Sequence, residues 1–216
     1  MVLDEYKDLV GAVASVTTIL QFFSGVFVCL DIKKKGNSGS DSVLPFLGGC
    51  VIGALNLKYS FLLADSAMTV VSAVGVLINL GYLAFYYAYS NCKGEVNKAI
   101  TQGVIFALSL LFYAQFWEDP ELVEDRFGAI LTVLMLLLLA SPLLSLGEVI
   151  RTQSTASLPF PIILASTVVT FEWLLYGIII DNIFIQIQNG VGLALCALQL
   201  SLFAIYPRTP VDKKKD

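Results

Sequence analysis

Seven long apolar segments, separated by short polar breaks, constrain this chain more than any other feature of its sequence. A lipid bilayer core requires about 20 apolar residues per crossing helix. The segments fill most of the 216 residues and leave no room for a sizeable soluble domain. We therefore expect an all-α polytopic membrane protein with seven transmembrane helices. Their predicted limits are Leu9–Leu30, Val43–Leu63, Ala67–Tyr89, Ala99–Trp117, Phe127–Val149, Pro159–Ile180 and Ile183–Tyr206.

Composition excludes several classes of function. The chain has no histidine, which rules out histidine-based metal sites, catalytic triads and histidine pH switches. Its four cysteines are far apart and include no CxxC pair, so they form neither a zinc pattern nor a disulfide framework. A net charge of −4 argues against a nucleic-acid partner, which would require a basic face. We expect no enzymatic activity, no metal and no cofactor; the expected partners are the lipid bilayer and a solute.

The basic residues predict the orientation in the membrane. With the N-terminus outside, the inner segments hold ten of the 13 Lys and Arg residues and the outer segments two. The positive-inside rule then places the C-terminus in the cytoplasm. The N-terminal segment is acidic and lacks the basic start of a signal peptide, so we expect it to be retained. Residues 207–216 form a short cytoplasmic tail, in which Lys213–Lys215 suits anionic lipids or a dilysine retrieval signal. The expected location is the plasma membrane, with a Golgi or ER pool.

The chain also resembles itself at a fixed offset of 117 residues. The matching pairs include Tyr59 with Tyr176, Gly75 with Gly192 and Leu83 with Leu200. The repeat unit is three helices, and a single helix separates the two copies. Because this number is odd, both copies have the same orientation, an arrangement known from transporters. We predict a 3+1+3 organisation, with a first repeat at 9–89, a linker helix at 99–117 and a second repeat at 127–206.

The second half contains four motifs: Gln153-Ser154-Thr155, Ser157-Leu158-Pro159-Phe160-Pro161, Glu172-Trp173-Leu174-Leu175-Tyr176-Gly177 and Asn189-Gly190-Val191-Gly192. With these motifs, nearly the whole chain resembles the SWEET sugar transporter family (the MtN3/saliva type). In the first half, Pro45-Phe46-Leu47 is similar to the animal members. The resemblance implies a homo-oligomeric uniporter that moves mono- or disaccharides down their gradient by alternating access.

Position by position, the resemblance implies three sets of functional residues. The substrate-binding set is Trp173, Asn189, Asn56 and Ser72; the extracellular gate is Tyr59, Tyr176, Asp181 and Asn182; the hinge set is Gly25, Pro45, Pro142 and Pro159. The chain departs from the family pattern twice. Ser72 stands where the family usually has asparagine, which removes one donor. Gly25 stands where it has proline.

A flat aromatic ring and an amide suit the C–H faces and hydroxyls of a sugar, which favours Trp173 and Asn189 as a binding pair. The alternative is a packing tryptophan with an amide that joins helices. Pro142 lies mid-span and predicts a kink, either a hinge or a static bend. Two charges lie well inside spans, Lys58 and Glu172; we expect either a buried ion pair between them or a Lys58 side chain that extends to the outer headgroups.

Two other functions compete with sugar transport. A seven-helix receptor has the same topology, but such receptors are not duplicated, and the last span lacks both an NPxxY motif and the lysine of a retinal protein. A transporter of the same fold for another small polar solute is the second alternative, disfavoured by the absence of a Pro-Gln dipeptide. Proton coupling through Glu172 stays open. The sequence predicts a facilitative sugar transporter, with these alternatives behind it.

Overall fold

The computed structural model describes residues 4–39 and 41–208, and these are built from α-helices and short connections. A 3-10 turn at Asp4–Tyr6 precedes the first helix, and a π-helical turn at Tyr113–Trp117 extends the fifth. The lysine run Lys213–Lys215 lies outside the described residues. The helices are α1 (Lys7–Phe22), α2 (Gly25–Lys35), α3 (Leu44–Leu62), α4 (Ser66–Tyr89), α5 (Lys93–Phe112), α6 (Val123–Leu138), α7 (Ala140–Thr152), α8 (Phe160–Ile179) and α9 (Ile183–Ile205).

These helices account for all seven predicted spans. Six stretches of the described chain are long and apolar enough, by length and composition, to cross a membrane. They are α1 with α2, α4, α5 with its π-helical turn, α6 with α7, α8 and α9. The remaining predicted span is α3, a helix of 19 residues whose mean hydropathy is lowered by Asn56 and Lys58. Helices α2 and α5 extend past the apolar segments into charged residues, because helical hydrogen bonding does not stop at the edge of the hydrocarbon.

The first and fifth spans are not the continuous helices that the apolar segments suggest. A turn at Phe23 and Ser24 separates α1 from α2, and α6 ends two residues before α7 begins. The second break has a covalent cause. Pro142 has no N–H to give to the carbonyl of Leu138, and its ring crowds that carbonyl. At the first break the hydrogen bonds shorten to three-residue turns, with the N–H of Val26 on the carbonyl of Phe23 at 3.0 Å.

The chain divides into two compact units by packing. One holds residues 15–128, and the other holds residues 4–14 together with 129–208. The division falls inside α1 and inside α6, whereas the repeats are defined by sequence duplication. Each unit still contains the second and third helices of one repeat.

Within the unit of residues 15–128, α4 packs against both α2 and α3, and α5 packs on the other helix of that hairpin, α3. The third helix of the repeat therefore lies between the first and the second. The linker helix belongs with the first repeat. The core of this unit is formed by Cys29, Ile32, Phe46, Leu47, Leu83, Tyr86 and Val96.

The unit of residues 4–14 and 129–208 repeats this order. Helix α9 packs against α7 and α8, as α4 does against α2 and α3. Gln188 on α9 also donates from Nε2 to Thr132 Oγ1 on α6 at 2.8 Å. The same helix order in both units agrees with the duplication read from the sequence. Its core is formed by Val149, Leu158, Ile163 and Leu202.

Candidate functional site

The α8–α9 hairpin brings Trp173 and Asn189 to the same level. Two close contacts fix its register: Gly177 against Ile185, and Thr170 against Gly192. Trp173 lies three residues after Thr170 and four residues before Gly177 on α8. Asn189 occupies the matching interval on the antiparallel α9. The pair predicted from sequence is therefore brought together by the hairpin.

The local contacts of this pair suit a polar solute that also has apolar faces. The Trp173 ring meets Tyr176 edge to face, with ring centroids 5.5 Å apart and planes at 88°. Asn189 donates from Nδ2 to the carbonyl of Ile185 at 2.9 Å. Within the described chain this is the one hydrogen bond of the Asn189 side chain, so a second N–H and the carbonyl oxygen stay available. Both side chains are half-buried.

The α3–α4 hairpin has the same register. Its close contacts are Ser60 with Thr69, whose hydroxyls are 3.0 Å apart, and Gly53 with Val76. Asn56 and Ser72 occupy the interval between these contacts, at the level that Trp173 and Asn189 occupy in α8–α9. Asn56 donates from Nδ2 to the carbonyl of Ile52 at 3.0 Å, and Ser72 is buried. Each hairpin thus holds two of the four predicted substrate-binding residues at one level.

The predicted gate tyrosines lie at the ends of α3 and α8 and are almost completely buried. Tyr59 is 1% exposed and Tyr176 is 2% exposed. Their carbonyls accept hydrogen bonds from the N–H groups of Leu63 and Ile180, both at 3.0 Å. The two tyrosines therefore occupy equivalent places at the start of equivalent turns.

The turns themselves are two copies of one structure. Ala64 and Asp181 both adopt a left-handed backbone, with φ of 50° and 53°. The next residue in each case caps the following helix: Asp65 Oδ1 accepts from the N–H of Met68 at 2.9 Å, and Asn182 Oδ1 accepts from that of Ile185 at 3.0 Å. Of the predicted gate residues, Asn182 is thus buried and committed to a helix cap, and Asp181 is exposed. The internal repeat does not reveal Asp65, because its counterpart 117 residues later is Asn182, a different residue type.

The predicted hinge residues lie at helix starts or breaks. Gly25 begins α2, where an added Cβ would collide with the ring of Tyr82. The Tyr82 hydroxyl donates to the carbonyl of Phe22 at 3.0 Å and so satisfies the last carbonyl of α1. Pro45 lies in the first turn of α3, and Pro159 directly precedes α8, where a missing N–H costs little.

A cavity of about 350 Å³ lies in the second repeat, next to Pro142 and Pro159. Its walls come from the α6–α7 break and from α7, α8 and α9. No sequence pattern predicts it, because its existence depends on which side chains fail to fill the space. The residues that line it are Leu139, Pro142, Ser145, Leu158, Pro159, Ile162, Ile163, Ser166, Thr170, Gly192, Leu195, Cys196 and Gln199.

Lys58 and Glu172, the two charges well inside the predicted spans, lie in different units. Lys58 on α3 donates from Nζ to Gln115 Oε1 at 2.7 Å, in the π-helical turn that follows α5. This bond ties the linker helix to the second helix of the first repeat. Glu172 is half-buried on α8. The pairing of Lys58 with Glu172 stays a prediction.

A cluster of Tyr113, Glu118 and Arg126 lies at the same end of the linker helix as Gln115. Arg126 on α6 donates from Nη1 to both carboxylate oxygens of Glu118, at 2.8 and 3.1 Å, and the Tyr113 hydroxyl donates to the same carboxylate. The hydroxyl of Tyr113, followed by the N–H of Asp119 and the Arg126 guanidinium, holds the pKa of Glu118 below its ordinary value. Glu118 is therefore ionised at neutral pH, where its carboxylate accepts the hydrogen bonds of Tyr113 and Arg126.

The comparisons with known proteins decide the family. The sequence profile of the family described as "Sugar efflux transporter for intercellular exchange" matches residues 8–94 and again residues 125–211. The two matches start 117 residues apart, as the internal duplication does. Together they cover more than half of the chain. This chain belongs to that family, the SWEET transporters.

Individual SWEET proteins match over almost the whole length. The chain is 33% identical over 202 residues to "Sugar transporter SWEET1" of Drosophila pseudoobscura pseudoobscura, covering 93% of this chain and 89% of that protein. It is 33% identical to the protein of the same name from Caenorhabditis elegans, over 93% of this chain and 67% of that one. "Bidirectional sugar transporter SWEET2b" of Oryza sativa subsp. indica is 28% identical over 92% of this chain.

A solved structure of a eukaryotic SWEET transporter superposes with a TM-score of 0.86 at 25% identity, covering 94% of this chain and 98% of that one. The predicted resemblance and the predicted fold class are both confirmed. The fold is the seven-helix 3+1+3 fold of the SWEET family.

Proposed function

We propose that this protein is a facilitative transporter that carries mono- or disaccharides across a membrane, down their concentration gradient, by alternating access. Membership of the SWEET family and the names of its relatives support a sugar as the cargo and a transporter rather than an enzyme. The observation that carries the proposal is the hairpin repeat. Each copy presents two candidate sugar-contacting residues at one level of a membrane helix pair.

In this proposal Trp173 and Asn189 of the second repeat, with Asn56 and Ser72 of the first, contact the sugar. The indole face receives the C–H surface of the ring, and the amides exchange hydrogen bonds with its hydroxyls. Since the Asn189 amide keeps a donor and an acceptor, it can hold two adjacent hydroxyls. Ser72 offers a single hydroxyl where the family usually has an amide, which favours a different sugar preference.

In this proposal, the predicted gate residues close the transport path and the predicted hinge residues let the helices bend. Tyr59, Tyr176, Asp181 and Asn182 form the extracellular gate, and the buried tyrosines and paired caps support their position at equivalent turns. Gly25, Pro45, Pro142 and Pro159 act as hinges. The helix breaks beside the first and third of these support bending there, since the breaks already lack regular hydrogen bonds.

The basic-residue bias supports an N-terminus outside and a C-terminus in the cytoplasm, in the plasma membrane with a Golgi or ER pool. A homo-oligomer is the expected assembly.

Uptake by proteoliposomes tests the function. We expect purified protein to transport at least one of radiolabelled glucose, fructose, trehalose and sucrose. Trp173→Ala and Asn189→Ala should each reduce its uptake about five- to thirtyfold, because each removes contacts worth on the order of 1–2 kcal/mol. Trp117→Ala and Asn97→Ala are matched controls, since both side chains are exposed and far along the chain from the pair. Full uptake by both site variants would remove the site assignment.

The same vesicles test the energy source. With no ion site proposed, uptake should follow the sugar gradient and stay unchanged when a proton gradient is imposed across the bilayer. Accumulation of sugar above its outside concentration, driven by protons, would contradict a uniporter and would direct attention to Glu172.

A further inference from the structure

The cavity in the second repeat is lined by an amide side chain, that of Gln199. Gln199 on α9 is 8% exposed and lines this cavity. Its side chain makes no hydrogen bond to any part of the chain that the structure describes. Among the described residues no buried side-chain N or O atom lacks a partner, so the polar atoms of this amide are open to the cavity. The Gln199 amide can therefore exchange hydrogen bonds with a molecule in the cavity.

The first repeat shows that the fold does not require this cavity. Tyr82 stands 117 residues before Gln199, as Gly25 stands before Pro142 and Phe22 before Leu139. There the Tyr82 ring lies against Gly25, and its hydroxyl caps the carbonyl of Phe22. The equivalent of the cavity wall is thus filled by an aromatic side chain. The second repeat has the same helix order and keeps an opening, although cavities in packed regions destabilise a protein.

The cavity continues the surface on which Trp173 and Asn189 lie. On α9, Gly192, Cys196 and Gln199 follow Asn189 at spacings of three and four residues, which places them on one helix face. Residues 170, 166 and 163 of α8, and Pro159 directly before this helix, precede Trp173 at the same spacings. Gln199 lies ten residues beyond Asn189, about 15 Å along the helix. One sugar ring at Asn189 does not reach that far.

The walls suit a sugar in size and chemistry. A volume of about 350 Å³ is within the range of small-ligand pockets. Apolar side chains such as Leu139 and Ile162 face the C–H surface of a ring, and the Gln199 amide and the hydroxyl of Thr170 lie among them. A lipid acyl chain would fill the volume and would leave the amide unpaired, which is unfavourable.

We propose that this cavity is a second sugar-binding position, in which the Gln199 amide hydrogen-bonds a hydroxyl of the sugar after it leaves Trp173 and Asn189. This inference rests on the proposed function. Under the predicted orientation, the second position lies toward the cytoplasmic end of the α8–α9 hairpin. The first repeat has no equivalent position because Tyr82 occupies the space.

Three variants test the proposal in glucose-transporting proteoliposomes. Gln199→Leu keeps the volume and removes the amide, and it should raise the half-saturating glucose concentration about fivefold. Gln199→Tyr copies the first repeat; it should raise the unfolding temperature and lower uptake at least tenfold. Gln102→Leu is the matched control, because that glutamine is exposed on α5. Wild-type kinetics in both Gln199 variants would overturn the second position.

Cys196, which lines the cavity beside Gln199, gives a readout that does not depend on transport or on the folding of Gln199→Tyr. Methyl methanethiosulfonate labels thiols, and mass spectrometry resolves each cysteine. D-glucose should slow labelling of Cys196 about fivefold, leave the exposed Cys92 unaffected, and lose this protection in Gln199→Leu.

The outcomes separate the two proposals. Transport of a sugar by the wild type without protection of Cys196 by that same sugar overturns the second position and leaves the proposed function standing. Protection of Cys196 by added phospholipid, and not by glucose, identifies an acyl chain as the occupant and overturns it as well. Absence of uptake of all four sugars by the wild type removes the proposed function itself.

Discussion

Asp65 and Asn182 illustrate how a single side chain can serve the fold at a position that the family resemblance assigns to function. Each accepts a hydrogen bond from the N–H three residues ahead and so satisfies one free donor at a helix start. Each follows a residue with a left-handed backbone. The proposed gate role of Asn182 is therefore added to a structural one, and a variant must keep the cap to test the gate.

We expect Asn182→Ala to lower the free energy of unfolding by about 1 kcal/mol through loss of the α9 cap. Asn182→Asp should keep the stability, because a carboxylate caps as well as an amide and the first repeat uses Asp65 in this way. Thermal unfolding in detergent measures both. Equal unfolding temperatures for Asn182→Ala and the wild type would show that the cap contributes nothing; reduced uptake by the stable Asn182→Asp variant would then report on the gate alone.

At the scale of helices, the two broken spans differ in what holds each break. The break before α7 follows from Pro142, which forbids a regular hydrogen bond in any environment. The break before α2 has no proline. It is held by the Tyr82 side chain, which packs on Gly25 and bonds the end of α1. The first break depends on a tertiary contact and the second on a covalent ring.

Gly25→Ala should therefore destabilise the protein by about 1–3 kcal/mol, because the new methyl group collides with the Tyr82 ring and forces it to move. Gly81→Ala is the matched control, since an added Cβ there meets nothing within 4 Å and alanine favours the helix by up to about 1 kcal/mol. Chemical or thermal unfolding of both variants checks the difference. Equal stabilities would mean that Tyr82 does not restrain the first break.

At the scale of the whole molecule, the duplication accounts for the arrangement of the spans. Seven helices arise from one triple-helix unit used twice with a linker helix between the copies. At the C-terminal end of the linker, Lys58 with Gln115 ties it to the first repeat, and the Glu118 cluster ties it to the start of α6. The charge bias predicts which ends of these helices face the cytoplasm.

Cys92 reports the orientation directly. It is exposed between α4 and α5, and the topology predicted from the basic residues puts this loop on the cytoplasmic side. A membrane-impermeant maleimide should label Cys92 only after cells are permeabilised, whereas a cysteine introduced by Glu121→Cys, on the opposite side, should react in intact cells. Labelling of Cys92 in intact cells would reverse the predicted topology.

The sequence by itself determined the number of helices, the parallel duplication and the level of the site pairs. Hydropathy acts on each segment separately, and the offset of 117 residues relates Trp173 to Asn56 and Asn189 to Ser72. It also predicted the disturbance at Pro142, because the cause lies in one residue's covalent structure.

Only the tertiary structure decided the other features. The partner of Lys58, the Asp65 cap, the break before Gly25, and the exchange of a Tyr82 contact for a cavity at Gln199 all depend on residues far apart in the chain. A cavity or a contact is a property of the space between side chains, which no single segment specifies. For this reason the two repeats look alike in sequence pattern and differ in what their packing leaves open.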